Sequence, residues 1–286
     1  MPNTIDIRRR IRSVKNTQQI TRAMKMVAAA KLRRAQERMF AARPYAAALR
    51  QVLASVASRV DAANHSLLKV RDEHNVLLLV VTADKGLCGA FNTNVIKAAQ
   101  HAIREKNWTS VQLLPIGRKA NDFFRRRLIP LRAQPLQILQ ALSQDKAREV
   151  AQILIEDYDS EKIDAVYVVY NEFKSIISQI VRFQRLLPIE RSALEPGAGA
   201  IEYLFEPGPE QILTELLPKH IEFQLYRILL ESAAAEQGAR MTAMEAATKN
   251  ASEMISHLTL TYNRIRQAAI TKEIIEIVSG AAAQEG

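Results

Sequence analysis

"IRRRIRSVKNTQQITRAMKMVAAAKLRRAQ", Ile7 to Gln36, is the stretch whose reading decides the fold. Stepping by four and three from Ile7 gives Ile11, Val14, Gln18, Thr21, Lys25, Ala28, Leu32 and Ala35. The row continues through Met39, Ala42, Ala46, Leu49, Leu53, Val56 and Val60. Such steps keep side chains on one face of a helix, and sustained this long they read as a coiled-coil seam. Thirteen of the sixteen positions are apolar. The polar three, Gln18, Thr21 and Lys25, are consecutive, and beside them Ile20, Met24 and Val27 form a neighbouring apolar row. The spacing therefore predicts a local phase shift there. No glycine precedes Gly86, and Pro44 predicts a kink or a break.

A second row closes the chain. Met241, Met244, Thr248, Ala251, Ile255, Leu258, Tyr262, Ile265 and Ala269 keep the same spacing, with Ile221, Leu225, Ile228 and Ala235 upstream. Gly280 is placed to cap it. A continuous helix from Pro209 to Ser279 would reach on the order of 100 Å, at 1.5 Å per residue. Neither helix hides its stripe alone. The expectation is an antiparallel coiled coil of residues 1–60 with residues 209–286.

Between the helices the period changes. "NVLLLVVTAD" (Asn75–Asp84), "SVQLLPIG" (Ser110–Gly117) and "DAVYVVYNEF" (Asp164–Phe173) read as buried strands. "TNVIKAAQHAIREK", "KANDFFRRRL" and "SQDKAREVAQILIEDY" read as helices between them. The alternation predicts an α/β domain over residues 75–190 with a parallel sheet, and "SIISQIVRFQRLLP" reads as a further, antiparallel edge strand. The fold class is thus α/β plus long helices, with a central Rossmann-like domain. Residues 191–208, rich in Pro and Gly, are the linker into the last helix.

Charge is concentrated in one segment. Residues 1–60 hold fourteen Lys and Arg against Asp6 and Glu37, a net +12 in a chain whose total is +10. Such a segment meets something acidic: nucleic acid, anionic lipid or an acidic protein surface. Residues 1–39 contain no aromatic side chain to interleave with bases. A basic coiled-coil nucleic-acid-binding protein nevertheless fits the charge alone. The N-terminus is Arg-rich and acid-poor like a transit peptide, but its pattern continues unbroken into the next fifty residues. No apolar run approaches the ~20 residues that span a bilayer. Cys88 is the single cysteine, which fits a reducing compartment.

The chemistry-bearing side chains form no catalytic set. "TADKGLCGAFNTN", Thr82 to Asn94, lies where a phosphate loop would, after a strand and before a helix. It lacks the glycine and Lys-Ser/Thr spacing of either nucleotide fingerprint, so a close-packed turn explains Gly86 and Gly89. Cys88 has no His in its loop, and His65, His74, His101, His220 and His257 are scattered. Neither a metal site nor a cofactor is expected. Glu156 and Asp157 read as a solvated helix end.

"IRRRIRSVKNTQQITRAMKMVAAAKLRRAQ", "TADKGLCGAFN" and "ARMTAMEAATKNASEMISHLTLTYNRIRQAAITKEIIEIVSGAAA", in this order, closely resemble the γ subunit family of the rotary F-type ATP synthase. The resemblance covers both termini and, more loosely, the middle domain. It implies a central stalk: an antiparallel coiled coil whose C-terminal tip stands inside a hexamer of α and β subunits, with the α/β domain as its foot. The foot would meet the ε subunit and the membrane rotor ring of c subunits, and no nucleic acid is implied. Catalysis would sit on the β subunits, leaving this chain without an active site.

The resemblance also carries residues. Arg266 and Gln267 in "RQAAIT" match positions that hydrogen-bond a β-subunit catch loop, with Thr271 one turn on. Met24 and Lys25 match the level facing an acidic β loop, and Arg9 and Arg10 match basic positions deeper in the hexamer. Gly86, Leu87, Cys88 and Gly89 match the foot loop, and Tyr203 and Glu206 a segment near the rotor ring. The plastid form's inserted cysteine pair has no counterpart, so thiol regulation of that type is not expected. With no transit extension before the family motif, the resemblance implies a peripheral protein on the cytoplasmic face of a bacterial membrane.

Overall fold

β1, Asn75–Val81, is apolar from its second residue on, and Val76 to Val81 are each at most 1% exposed. A strand apolar on both faces needs a cover on both, which makes it a central strand of a parallel sheet. The computed structural model describes residues 4–57, 65–106, 108–127, 129–132, 138–139, 142–190 and 208–282. In it β2 (Ser110–Ile116) and β3 (Ala165–Phe173) flank β1 in parallel. β4 (Gln179–Leu187) runs antiparallel to β3, and the strand order is β2-β1-β3-β4. The expected antiparallel edge strand is therefore present.

Alternate residues of β1 feed two cores. Val76, Leu78 and Val80 pack with Val95, Ile96 and Ala99 of α2 (Phe91–Glu105) and with Ala120 and Phe124 of α3 (Arg118–Arg125). Leu77, Leu79 and Val81 face α4 (Gln144–Asp159), where Val150, Ala151 and Leu154 are buried. The same core takes Leu53 and Val56 of α1 (Thr4–Ala57), and Leu213, Leu217, Ile221, Leu225 and Ile228 of α5 (Pro209–Ala282). The long helices are thus part of the covering of the sheet. Contact density divides the chain within them: one compact unit is Ala28–Arg240, and the other joins Met1–Val27 to Met241–Gly286.

Three local expectations change. α1 is not broken at Pro44: it runs 54 residues with the proline inside it. A proline removes one backbone donor and crowds the preceding turn. Met39, Leu49 and Leu53, all buried, hold the turns on either side. Gly280 does not end α5, which continues to Ala282, so the glycine is an interior residue. Asp157 is not on a solvated end. It is 3% exposed and accepts two bonds from Arg132, Nε to Oδ2 at 2.7 Å and Nη2 to Oδ1 at 2.8 Å. Its neighbour Glu156 is exposed as expected. Among the described residues, no helix is long and apolar enough to cross a membrane.

Candidate functional site

The smaller unit is a two-helix seam. Its polar cross-links run Arg8 to Tyr262, Thr21 to Thr248 and Lys25 to Glu245, so numbers rise on α1 as they fall on α5 and the pair is antiparallel. Every heptad position of α1 from Ile7 to Val56 is buried or half-buried, and so is every α5 position of the row from Met241 to Ile265. The seam does not shift phase where its residues turn polar. Thr21 is 8% exposed, while Ile20 is 59% and Val27 56% exposed. Continuity explains this: Ile7, Ile11 and Val14 before the polar step, and Ala28 and Leu32 after it, all lie on the row that includes Gln18, Thr21 and Lys25.

Among the basic residues the structure separates roles. Arg8 Nη2 donates to the Tyr262 hydroxyl at 2.6 Å, and its guanidinium lies 5.5 Å from that ring's centre. Arg9 and Arg10 are exposed. Met24 is half-buried beside the seam. Lys25 Nζ reaches Glu245 Oε1 at 2.6 Å, so at this level the lysine is paired with an acid of its own chain.

The end of α5 is different again. From Arg266 to Ala281 every residue is exposed. Ile270, Ile274, Ile275, Ile277 and Val278 are 48–71% exposed and put apolar side chains on successive turns. Thr271 Oγ1 bonds back to the Gln267 carbonyl at 2.9 Å, and Lys272 lies 3.5 Å from Glu276. Arg266 and Gln267 thus stand at the start of an uncovered amphipathic helix. An apolar surface of this extent is a mark of a binding surface.

The loop Thr82–Asn92 closes on itself. The Ala83 amide donates to Asn92 Oδ1 at 2.8 Å, and Asn92 Nδ2 approaches Cys88 Sγ at 3.2 Å. Arg240 Nη2 reaches the Gly86 carbonyl at 3.4 Å while pairing with Glu236 at 2.7 Å. Cys88 is buried with Ala83, Phe91 and Ala235. Burial pushes its thiol above the usual range, the opposite of what a nucleophile needs. Burial likewise raises the Glu236 carboxyl, with Arg240 opposing. Leu87 takes a left-handed φ of 62° and is 63% exposed, and Gly89 has a φ of 56°. Tyr203 and Glu206 lie outside the described residues.

Two features of this region are not legible in the sequence. Gly117 has a φ of 88°, and a Cβ there would overlap the Thr82 carbonyl, so glycine lets α3 start against the loop. The only signal is a glycine following a strand. The Glu236–Arg240 pair sits at ordinary helical spacing, and its burial could not be read from that spacing.

The sequence pattern of the ATP synthase family matches residues 3–284. An ATP synthase gamma chain from Solibacter usitatus is 53% identical over the full length of both chains. One from Chlorobaculum tepidum is 50% identical over 98% of each. A chain from the central stalk and c-ring structure of the Tetrahymena thermophila mitochondrial ATP synthase superposes with a TM-score of 0.62 at 29% identity, covering 80% of this chain and 99% of that one. A chain of the Euglena gracilis mitochondrial enzyme gives 0.70 at 21% identity, covering 98% and 94%, and shows the shared fold.

Proposed function

This chain belongs to the ATP synthase gamma-chain family, and from that premise we propose how it acts as the central-stalk rotor subunit. The uncovered end of α5 is the axle tip, seated in the ring of α and β subunits. The observation that carries this is the apolar row of Ile270, Ile274 and Ile277, exposed on a helix that its own chain leaves bare. A bearing requires apolar contact without directional bonds, because each hydrogen bond made in one orientation must be broken to leave it.

Coupling follows from asymmetry. Two unlike helices present a different face to each of three β subunits. Each β subunit then favours a different conformation, and turning the shaft exchanges them. This is differential binding between states, as energetic coupling requires. Arg266 and Gln267, with Thr271 one turn on, supply polar catch contacts near the tip. Met24 and Lys25 face an acidic loop of the β subunits, and Arg9 and Arg10 are basic positions deeper in the hexamer. The Lys25–Glu245 pair leaves Lys25 partly exposed, at 37% of its side chain, so an outer acid can share it. The α/β domain of residues 75–190 is the foot, where Gly86, Leu87 and Gly89 of the loop overlie a buried Cys88, and family resemblance assigns Tyr203 and Glu206 to the segment that meets the c-ring. The ε subunit and c-ring dock there, which makes the chain a peripheral component of a membrane-bound, ion-driven machine.

Met24→Lys adds a cation opposite those acidic loops, and slower ATP turnover with a higher activation enthalpy is the expected result. The direct experiment attaches a bead to the foot of the assembled enzyme and supplies ATP. Stepwise rotation of the bead is expected. An assembly that hydrolyses ATP normally while the bead stays fixed would sink the rotor reading.

A further inference from the structure

We infer that residues 18–27 of α1 hold two competing seam phases, and that the observed one is latched by Thr21, Lys25, Glu245 and Thr248. The segment rolls about its own axis to the second phase when the latch is broken.

The observed phase buries the more polar of two available rows. Thr21 is buried and Lys25 half-buried, while Ile20 and Val27, more than half exposed, face outward and Met24 lies between. Burying exposed Ile and Val is favourable, so something offsets the loss. Polar contacts between the two helices do this. Thr21 Oγ1 and Thr248 Oγ1 are 2.8 Å apart. Each hydroxyl has one proton. Whichever donates across the seam, the other bonds back to its own helix, Thr248 to the Met244 carbonyl at 2.7 Å or Thr21 to the Gln18 carbonyl at 3.0 Å. One turn on, Lys25 Nζ meets Glu245 at 2.6 Å.

The rival row is offset by one residue, about 100° of rotation for a helix of 3.6 residues per turn. It is apolar over two turns only. Upstream it meets Asn16 and Ser13, downstream Lys31 and Arg34. The second phase is therefore local, with the angle absorbed by over- and underwinding at each end, as heptad discontinuities are. In it Ile20, Met24 and Val27 would pack on Met244, Thr248 and Ala251, and Lys25 would be released to water. Both phases are properties of the helix pair itself, which goes beyond the rotor reading. Within a rotor it locates a compliant segment of the axle.

The test is thiol accessibility on the full-length chain, in a Cys88→Ala background, with no partner subunits required. Ile20→Cys, Val27→Cys and Ala28→Cys are made singly and labelled with a maleimide. With the native latch, positions 20 and 27 should label at least tenfold faster than 28. Glu245→Lys then sets a second cation against Lys25. The expected result is an inversion: labelling at 20 and 27 falls at least tenfold and labelling at 28 rises, with helical circular dichroism unchanged. Adding Ile20→Gln should keep position 27 fast, since the rival row is then no longer apolar. Unchanged rates after Glu245→Lys overturn the inference. So does a rise at all three positions or a loss of helical signal, because a second phase must hold the helices together.

Discussion

The sheet and the two-helix seam are built from similar apolar residues and bury them to different depths. From Val76 to Val81 the central strand is essentially closed to solvent on both faces. Between Ile7 and Lys25 the α1 row of the seam buries Ile7 and Thr21 and leaves Ile11, Val14, Gln18 and Lys25 half-buried, and from Arg266 to Ala281 every residue of α5 is exposed. The difference separates two tasks. One region gathers the burial that stabilises a fold. The other leaves apolar side chains in solvent, and in the proposed rotor that surface is kept for contacts outside the chain.

Four measurements break or sharpen that contrast. The largest effect should come from Leu79→Ala, which empties a wholly buried site in the central strand. A loss of about 2–5 kcal/mol is expected in denaturant unfolding. A loss under about 1 kcal/mol would mean that the sheet is not the main reservoir of stability. Next is Gly117→Ala. It meets both a left-handed backbone and the Thr82 carbonyl, so a cost above about 1 kcal/mol is expected by the same assay.

The third change tests charge inside the larger unit. The hydrogen bonds from Arg132 hold the Asp157 carboxyl below the usual carboxylate range. A depressed folded-state value contributes stability that is full above the ordinary range and fades as pH falls towards the depressed one. Asp157→Asn should cost about 1–3 kcal/mol at neutral pH, the usual worth of a charged hydrogen bond. It should also flatten the acid limb of the stability–pH curve. An unchanged acid limb would show that the pair is not coupled to folding.

The smallest effect on stability should be at the tip. Ile274→Asp with Ile277→Asp alters exposed residues and should shift unfolding by less than about 0.5 kcal/mol. Yet ATP-driven rotation of the assembled complex should be severely weakened. If the pair instead destabilises the isolated chain strongly, the tip is packed on its own chain and the contrast drawn above fails.

The sequence determined the heptad rows from Ile7 and from Met241, because a seam must repeat every three or four residues wherever it lies. It also determined the three parallel strands and the antiparallel edge, since unbroken apolar runs between helices admit few other placements. The site residues Arg266, Gln267, Gly86 and Cys88 came from matching motifs, not from their chemistry, as none stands in a catalytic or metal-binding pattern of the sequence. Tertiary structure alone decided the phase at Thr21 and Lys25. Composition favours the row of Ile20 and Val27, and the polar row is held inward by the continuity of packing on either side together with the contacts of Thr21 with Thr248 and of Lys25 with Glu245. It alone decided that Asp157 is buried, because its partner Arg132 is distant in sequence, and that Pro44 leaves the helix whole, because the flanking turns are held by the core. It also decided why Gly117 is glycine: the obstacle is the carbonyl of Thr82, brought close only when the strands pair. Local periodicity is written into the chain, whereas the choice between nearly equal local options depends on contacts between distant residues.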